Sequence, residues 1–291
     1  MAHAGCPLCA LVLMSAASAF SVNVVRVMMW NLWWRFGGAW QERESGITAT
    51  LEQVRPDVVG LVETWAGDGT TQAQRLADRL GAAAAVFAPT SLPPLPNPPE
   101  DPTQAGIDMG IGLISKWPVR AIEVHDLPHG QRPGPPPTAL LATVEHPHGP
   151  LHVIVSCIEW EPAYAADQLA QSRALAALAT DPRLDGRLPV LLLADLNAAV
   201  DQPELAPLLD VMVDTWAAGG GDPKAVTLSS AVPDAPLEAS KQIDRRIDHI
   251  LARPGRVDST ITVPRVFLAG DHPINGRYPS DHFAVVADLQ L

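Results

Sequence analysis

Five places along this 291-residue chain put a polar side chain suited to a metal or a phosphate where an apolar run ends or begins. Asn31 follows VMMW, Glu63 follows VVGLV, and Asp195 and Asn197 follow LLLA. Asp248 lies within RRIDHIL, and Asp281 and His282 open the last apolar run. Any one of them alone reads as an ordinary strand-end cap or turn residue. Together they supply the groups that phosphoester hydrolysis needs. A hard divalent cation such as Mg²⁺, or Mn²⁺ in its place, takes oxygen ligands and keeps several waters, so one or two carboxylates suffice, and Glu63 is the prime ligand. An ionised Asp can orient or deprotonate a water for in-line attack, the role that Asp195 fills, while amide donors such as Asn31 and Asn197 stabilise charge on phosphoryl oxygens. A His held in one tautomer by a second carboxylate can contact the phosphate or carry a proton, and His282 with Asp248 supplies that pair.

These groups need a frame. β-branched and apolar runs predict strands over 22–30, 57–62 (ending at Glu63), 84–87 and 189–194, with last strands over 246–252, 261–268 and 282–289. Two strand pairs are expected: 109–115 with 119–124, joined across Lys116, Trp117 and Pro118, and 138–145 with 151–158. Ile47, Leu51 and Val54 recur at helical spacing before Pro56, Leu76 and Leu80 mark a helix closed by Gly81, and 164–180 is an Ala- and Leu-rich helix. Strands, hairpins and helices interleave without an internal repeat, which predicts an α/β (α+β) fold of two sheets packed face to face with helices outside. The chemistry-bearing side chains are then expected at the C-terminal ends of strands, where ligands bind in such sheets. The segment 89–104, PTSLPPLPNPPEDPTQ, predicts an irregular loop or an insertion over the site.

Composition narrows the partners. With 47% hydrophobic and 18% charged residues the chain can bury a large core, and a net charge of −12 gives no general polyanion-binding surface. A bound divalent cation nevertheless inverts the local field and can draw a phosphate into an acidic protein. The three cysteines make an odd number and no disulfide framework; Cys6 and Cys9 form a lone CxxC, read as part of a terminal tail because no second Cys/His pair follows. Residues 11–20, LVLMSAASAF, resemble a short signal-peptide core without the usual preceding Lys or Arg, so residues 1–21 are set apart as a tail or signal-like segment and 22–291 as the catalytic domain. Localisation stays open between cytoplasmic, slightly favoured, and secreted. No later apolar stretch is long enough to span a bilayer.

The segments VRVMMWNLW, DVVGLVETW, MGIGLISKWPV, LPVLLLADLNA, RRIDHIL and PSDHFAVVADL, running from Val22 to Leu289, resemble the endonuclease/exonuclease/phosphatase superfamily, with DLN followed much later by SDH as the specific part. The resemblance implies a DNase-I-like four-layer sandwich of two mixed β-sheets flanked by helices, and metal-dependent hydrolysis of a phosphoester in a small molecule, a lipid headgroup or a nucleic acid. Carried over, Glu63 is a metal ligand with Asn31 an amide near the metal and Asp281 a carboxylate beside it. Asp195 is the water-activating carboxylate, Asn197 its phosphate-contacting neighbour, and His282 the imidazole oriented by Asp248. One departure stands out. Most relatives carry a second catalytic His, in a pattern like Thr-His-Leu, where this chain has Ser156, Cys157 and Ile158. A thiol is a poor donor to a phosphate oxygen. His152, five residues away, points to the opposite face of the strand. The leading expectation is a Mg²⁺-dependent phosphodiesterase or phosphomonoesterase; the alternatives are a DNase-like endonuclease and a catalytically impaired protein that holds a phosphorylated ligand.

Other residues carry less. His125, His129, His146 and His148 are expected in solvated loops, and Asp271 and His272 at the mouth of the site. Trp30, Trp33, Trp34, Trp40 and Trp65 read as core packing or, more sharply, as an aromatic wall for a lipid or a base.

Overall fold

Along the first strand, Val27 and Met29 point to one apolar layer while Met28 and Trp30 point to another. That is the two-residue period of a strand covered on both faces, and it explains why the sequence reads as an unbroken apolar run. The same alternation divides Leu191 and Leu193 from Val190, Leu192 and Ala194. Three apolar layers therefore separate four structural ones.

The computed structural model describes residues 24–256 and 260–291; Cys6, Cys9 and the signal-like segment lie outside them. In chain order the strands are β1 (Val24–Asn31), β2 (Val58–Gly67), β3 (Thr70–Thr71), β4 (Ala84–Pro89), β5 (Asp108–Ser115), β6 (Val119–Asp126) and β7 (Thr138–His146). There follow β8 (Gly149–Cys157), β9 (Val190–Asp195), β10 (Val213–Asp214), β11 (Asp248–Arg253), β12 (Thr262–Ala269) and β13 (Ala284–Gln290). The helices are α1 (Trp40–Val54), α2 (Gln72–Leu80), α3 (Ala165–Ala179) and the single turns α4 (Ala206–Leu209) and α5 (Thr215–Ala218). One sheet runs β12-β13-β1-β2-β5-β4, with β3 beside β2, and the other runs β10-β11-β9-β8-β7-β6. Both are mixed: β1 is parallel to β2 and β8 to β9, while their other neighbours are antiparallel. Helices α1 and α2 cover the outer face of the first sheet, and α3 with α4 covers that of the second. The expected four-layer, DNase-I-like architecture is the one observed.

The sheets press closely where β2 crosses β9. A Cβ placed on Gly60 would lie 2.6 Å from the Cβ of Leu193, so the glycine is required by the approach of the two sheets and not by a turn.

Three sequence expectations need correction. The segments 109–115 and 119–124 are strands but not a hairpin: β5 lies between β2 and β4 in one sheet, and β6 pairs with β7 in the other. Lys116, Trp117 and Pro118 form the crossover between sheets, and Lys116 is tied back to Asp57 by a 2.9 Å ion pair. Second, β2 does not end at Glu63. It continues to Gly67 through a register shift between Leu61 and Thr64, and Glu63 adopts a left-handed φ of 48° at that bulge. Third, Asp248 opens β11 and Asp281 and His282 precede β13, so these groups stand at N-terminal strand ends. Because β11 is antiparallel to β9 and β13 to β1, those starts share one edge of the sandwich with the finishing ends of β1, β8 and β9.

Candidate active site

At that edge the side chain of Asn31 stands between two carboxylates. Its Nδ2 donates to Glu63 Oε1 at 2.9 Å and to Asp195 Oδ2 at 3.1 Å, while its Oδ1 accepts the Trp33 N–H at 2.9 Å. Both N–H groups of the amide thus go into holding the two sheets' carboxylates in one place. The second oxygen of Asp195 accepts the Asn197 N–H at 3.0 Å, which closes a tight turn with Asn197 at φ 49°. Asn197 Nδ2 donates to the Ile158 carbonyl at 3.0 Å and lies 3.9 Å from Cys157 Sγ.

His282 enters from the β13 side. Its Nδ1 is 2.8 Å from Asp248 Oδ2 and 4.0 Å from Asp195 Oδ2. The pairing of His282 with Asp248 expected from the sequence is thus observed, and it directs Nε2 away from Asp248. The backbone around it is pinned: Ser280 Oγ donates to the Asn31 carbonyl at 2.7 Å and accepts the His282 N–H, and Trp30 Nε1 donates to the His282 carbonyl. Thr227 Oγ1 accepts the N–H groups of Ile247 and Asp248, and the Thr227 carbonyl accepts that of Phe283.

Glu63, Asp195 and Asp281 share this small volume with little water to solvate them. Burial pushes Glu63 up to about 8, with Asp281 adding repulsion, and pushes Asp195 up to about 7, with Asp248 adding repulsion. Asp281 is raised for the same reason, burial. At His282 burial opposes the imidazolium, but Asp248, Asp281 and Asp195 together outweigh it, so the ring's pKa stands well above its ordinary value. The Cys157 thiol is raised well above its usual range by burial and by Asp195, and is therefore neutral.

A concentration of buried carboxylate oxygens that resist ionising together fits a hard divalent cation, whose charge would remove the repulsion. The sequence assigned Glu63, Asn31 and Asp281 to that role. Among the described residues, the group of metal-capable side chains whose ligand atoms fall within 4.8 Å of one another is Asp195, Asp248 and His282. In that group the 2.8 Å contact is a hydrogen bond of a protonated imidazole to a carboxylate, which uses the nitrogen a metal would need.

These groups open into a cleft of about 450 Å³. Glu63, Cys157, Asp195, Asn197, Asp281 and His282 lie on its floor. Its walls contain residues the sequence did not single out, Phe36, Leu228 and Gln242, together with part of the Pro-rich segment that it did, Pro93, Pro94 and Glu100. That segment is the expected insertion over the site, with one 3₁₀ turn at Pro102–Gln104. Gln242 Nε2 donates to the Trp160 carbonyl at 2.7 Å, tying the two walls together.

Of the tryptophans, Trp33 lines the cleft, Trp30 is buried beneath α1, and Trp34, Trp40 and Trp65 pack around Arg35 and Met109. Core packing therefore describes Trp30, Trp34 and Trp65, with Trp40 half-buried against them, and Trp33 is the one of the five that lines the cleft. Trp160, three residues past β8, is also a wall residue. His125 and His146 lie within strands and not in loops; His146 is buried, with its ring centroid 4.6 Å from that of Trp117. His152 faces away from the cleft as expected and meets Thr143 Oγ1 at 3.1 Å. Asp271 and His272 do not reach the mouth; they border a separate depression with Arg26 and Phe267. Arg43 was unmarked in the sequence. From α1 its guanidinium donates to the carbonyls of Leu32, Trp33, Trp34 and Phe36, shaping the loop after Asn31.

The sequence model of the Endonuclease/Exonuclease/phosphatase family matches residues 28–282. Among solved structures, the chain is similar to an endonuclease/exonuclease/phosphatase from Beutenbergia cavernae DSM 12333, at 26% identity and a TM-score of 0.68 over 92% of this chain and 72% of that one. It is similar to D. rerio TDP2 complexed with a single-strand DNA product, at 18% identity and a TM-score of 0.69 over 92% and 100% of the two chains. It is also similar to the human Nocturnin catalytic domain with a bound sulfate anion, at 19% identity and a TM-score of 0.68 over 91% and 94%. No curated protein matches. Since that family's profile spans nearly the whole described sandwich and both sheets superpose on its solved members, the chain belongs to the endonuclease/exonuclease/phosphatase family.

Proposed function

We propose that this protein hydrolyses a phosphoester, a phosphodiester or phosphomonoester, by in-line attack of a water that Asp195 orients. The reading rests on one observation: the Asn31 amide binds Glu63 of one sheet and Asp195 of the other, with the Asp248–His282 pair 4.0 Å beyond. A divalent cation, Mg²⁺ or Mn²⁺, held by Glu63 with Asn31 and Asp281 beside it, would polarise a phosphoryl oxygen as a Lewis acid. The chain's own groups do the rest. Asp195, held by the Asn31 amide and the Asn197 N–H, is placed to take a proton from an attacking water. Asn31 fixes its direction, and Asn197 supports it through the turn N–H while offering amide donor capacity toward a phosphoryl oxygen. His282, held protonated against Asp248, contributes positive charge beside the phosphoryl group and a proton for the leaving oxygen.

The test is hydrolysis of an aryl phosphodiester and an aryl phosphomonoester with Mg²⁺ or Mn²⁺, after chelation and after re-addition, for the wild type and Asp195→Asn. A loss of about 10²-fold or more in kcat is expected for the variant. Activity that persists unchanged in the variant sinks the mechanism. A protein that binds phosphate analogues and hydrolyses none of the esters would instead be a phospholigand-binding member of the family, the reading that Cys157 on the cleft floor favours.

A further inference from the structure

The cleft over this site has an unusual charge inventory for an enzyme of polyanions. Among the described residues its lining contains no Lys and no Arg, and five acidic side chains: Glu63, Asp195 and Asp281 on the floor, and Glu100 and Glu238 from two separate segments of its wall. Both wall glutamates are exposed. Cations in neighbouring segments are engaged elsewhere, Arg245 with Asp201 among them. Arg43 spends its guanidinium on four backbone carbonyls. Arg132 is bound to Glu159 and Glu161, and Lys241 lies 3.4 Å from Glu204. Phosphate backbones are bound chiefly by Lys and Arg, so nothing in this lining would receive a second or third phosphate. The remaining wall surface is apolar: Trp33, Phe36 and Trp160 with Pro93, Pro94 and Pro236. Each flanking loop also exposes a leucine beside these prolines, Leu95 at 41% and Leu237 at 64%.

We propose that the cleft selects phosphodiesters in which the reacting phosphoryl group is the only anion and the group beside it is apolar, and that it discriminates against nucleotides bearing further phosphates. This inference rests on the phosphoesterase reading above. The floor holds one anion, through His282, the Asn197 amide and the cation that the carboxylates suit. A further phosphate on the substrate would lie in a cleft lined by Glu100 and Glu238 as well, where like charges repel it. An alkyl or aryl group in that place leaves water for the aromatic and proline surface.

The experiment compares kcat/KM for esters sharing the 4-nitrophenol leaving group, at low ionic strength with Mg²⁺ or Mn²⁺ and below any micelle concentration. The esters are methyl and octyl 4-nitrophenyl phosphate, and thymidine 5′-(4-nitrophenyl phosphate) with and without a 3′-phosphate. The octyl ester is expected to exceed the methyl ester by at least about tenfold, an order set by burial of a few CH₂ groups. Adding the 3′-phosphate is expected to lower kcat/KM by about tenfold, and raising the salt should narrow that gap. In Glu100→Gln/Glu238→Gln the penalty for the 3′-phosphate should shrink at least threefold, and in Leu95→Ser/Leu237→Ser the octyl advantage should fall. If the 3′-phosphate is neutral or favourable in the wild type, or the octyl ester is no better than the methyl one, the selectivity proposal is overturned while the phosphoesterase reading stands. If no ester is hydrolysed under any condition, the phosphoesterase reading fails and this inference fails with it.

Discussion

Replacing Arg132 by Met isolates the energetic cost of the buried ion pair that shapes one wall of the cleft. Arg132 Nη2 donates to Glu159 Oε1 at 2.8 Å and to Glu161 Oε1 at 2.7 Å, and its Nε reaches Glu159 Oε2 at 2.5 Å. The Glu159 side chain is only 1% exposed, and that of Arg132 12%. Glu159 Oε1 also accepts the N–H groups of Trp160 and Glu161, so this carboxylate sets the path of the chain as it leaves β8 toward the cleft. Removing the guanidinium leaves those two backbone donors as the carboxylate's support in a dry site, and breaking a buried pair on one side costs about 3–5 kcal/mol. For a chain of this size each kcal/mol moves Tm by roughly 2–4 °C, so a fall of roughly 6–20 °C is expected. Thermal and urea unfolding followed by circular dichroism at pH 7 measure it, with the urea slope checked for constancy. In the double variant Arg132→Met/Glu159→Gln the buried charge is gone as well, so part of the loss should return and the cycle should show a coupling of about 1.5 kcal/mol or more. A shift below about 2 °C for the single variant, or a double variant as unstable as the sum of the singles, would refute the claim that this pair fixes the wall.

His249 is buried between Arg246 Nη1 at 2.8 Å from its Nδ1 and the Ala198 carbonyl at 2.8 Å from its Nε2, and burial with the Arg246 charge lowers its pKa to about 3. The unfolded chain takes up a proton near pH 6.5 that the folded one refuses, so this group's contribution is complete above that pH and declines as pH falls from about 6.5 toward 3, at up to ~1.4 kcal/mol per unit. His249→Gln should flatten that slope in unfolding curves between pH 6.5 and 4.5; an unchanged slope would show that His249 is not responsible. Gly60→Ala drives a methyl into Leu193 between the sheets and should cost about 1–3 kcal/mol in urea unfolding, and a cost near zero would mean that the sheets separate easily. Cys157→Ala should alter kcat/KM by less than about tenfold, since a neutral thiol 3.9 Å from Asn197 Nδ2 is a weak partner; a loss as large as that of Asp195→Asn would give the sulfur a role in the chemistry.

Much of this protein was legible as pattern. A strand covered on both faces must be apolar along its covered length, so VMMW and VLLLA announced central strands, and the polar residue that ended such a run had to stand at the edge of the sandwich. That is why Asn31 and Asp195 could be named from spacing, and the Asp248–His282 pair from residue type together with family resemblance. What the sequence did not carry was the partner of each strand. Residues 109–115 and 119–124 both alternate as strands should, but which sheet each joins depends on packing across the molecule, and the crossover at Trp117 and Pro118 has the same composition as a hairpin turn. The bulge that swings Glu63 inward is equally silent, because a left-handed glutamate is stabilised by its surroundings and not by its own preference. The cleft walls depend most on the tertiary structure. Phe36, Glu100 and the Glu238–Gln242 segment lie far apart in the chain with no periodicity to link them, and they line one cleft only because two sheets and two irregular segments close over the same edge.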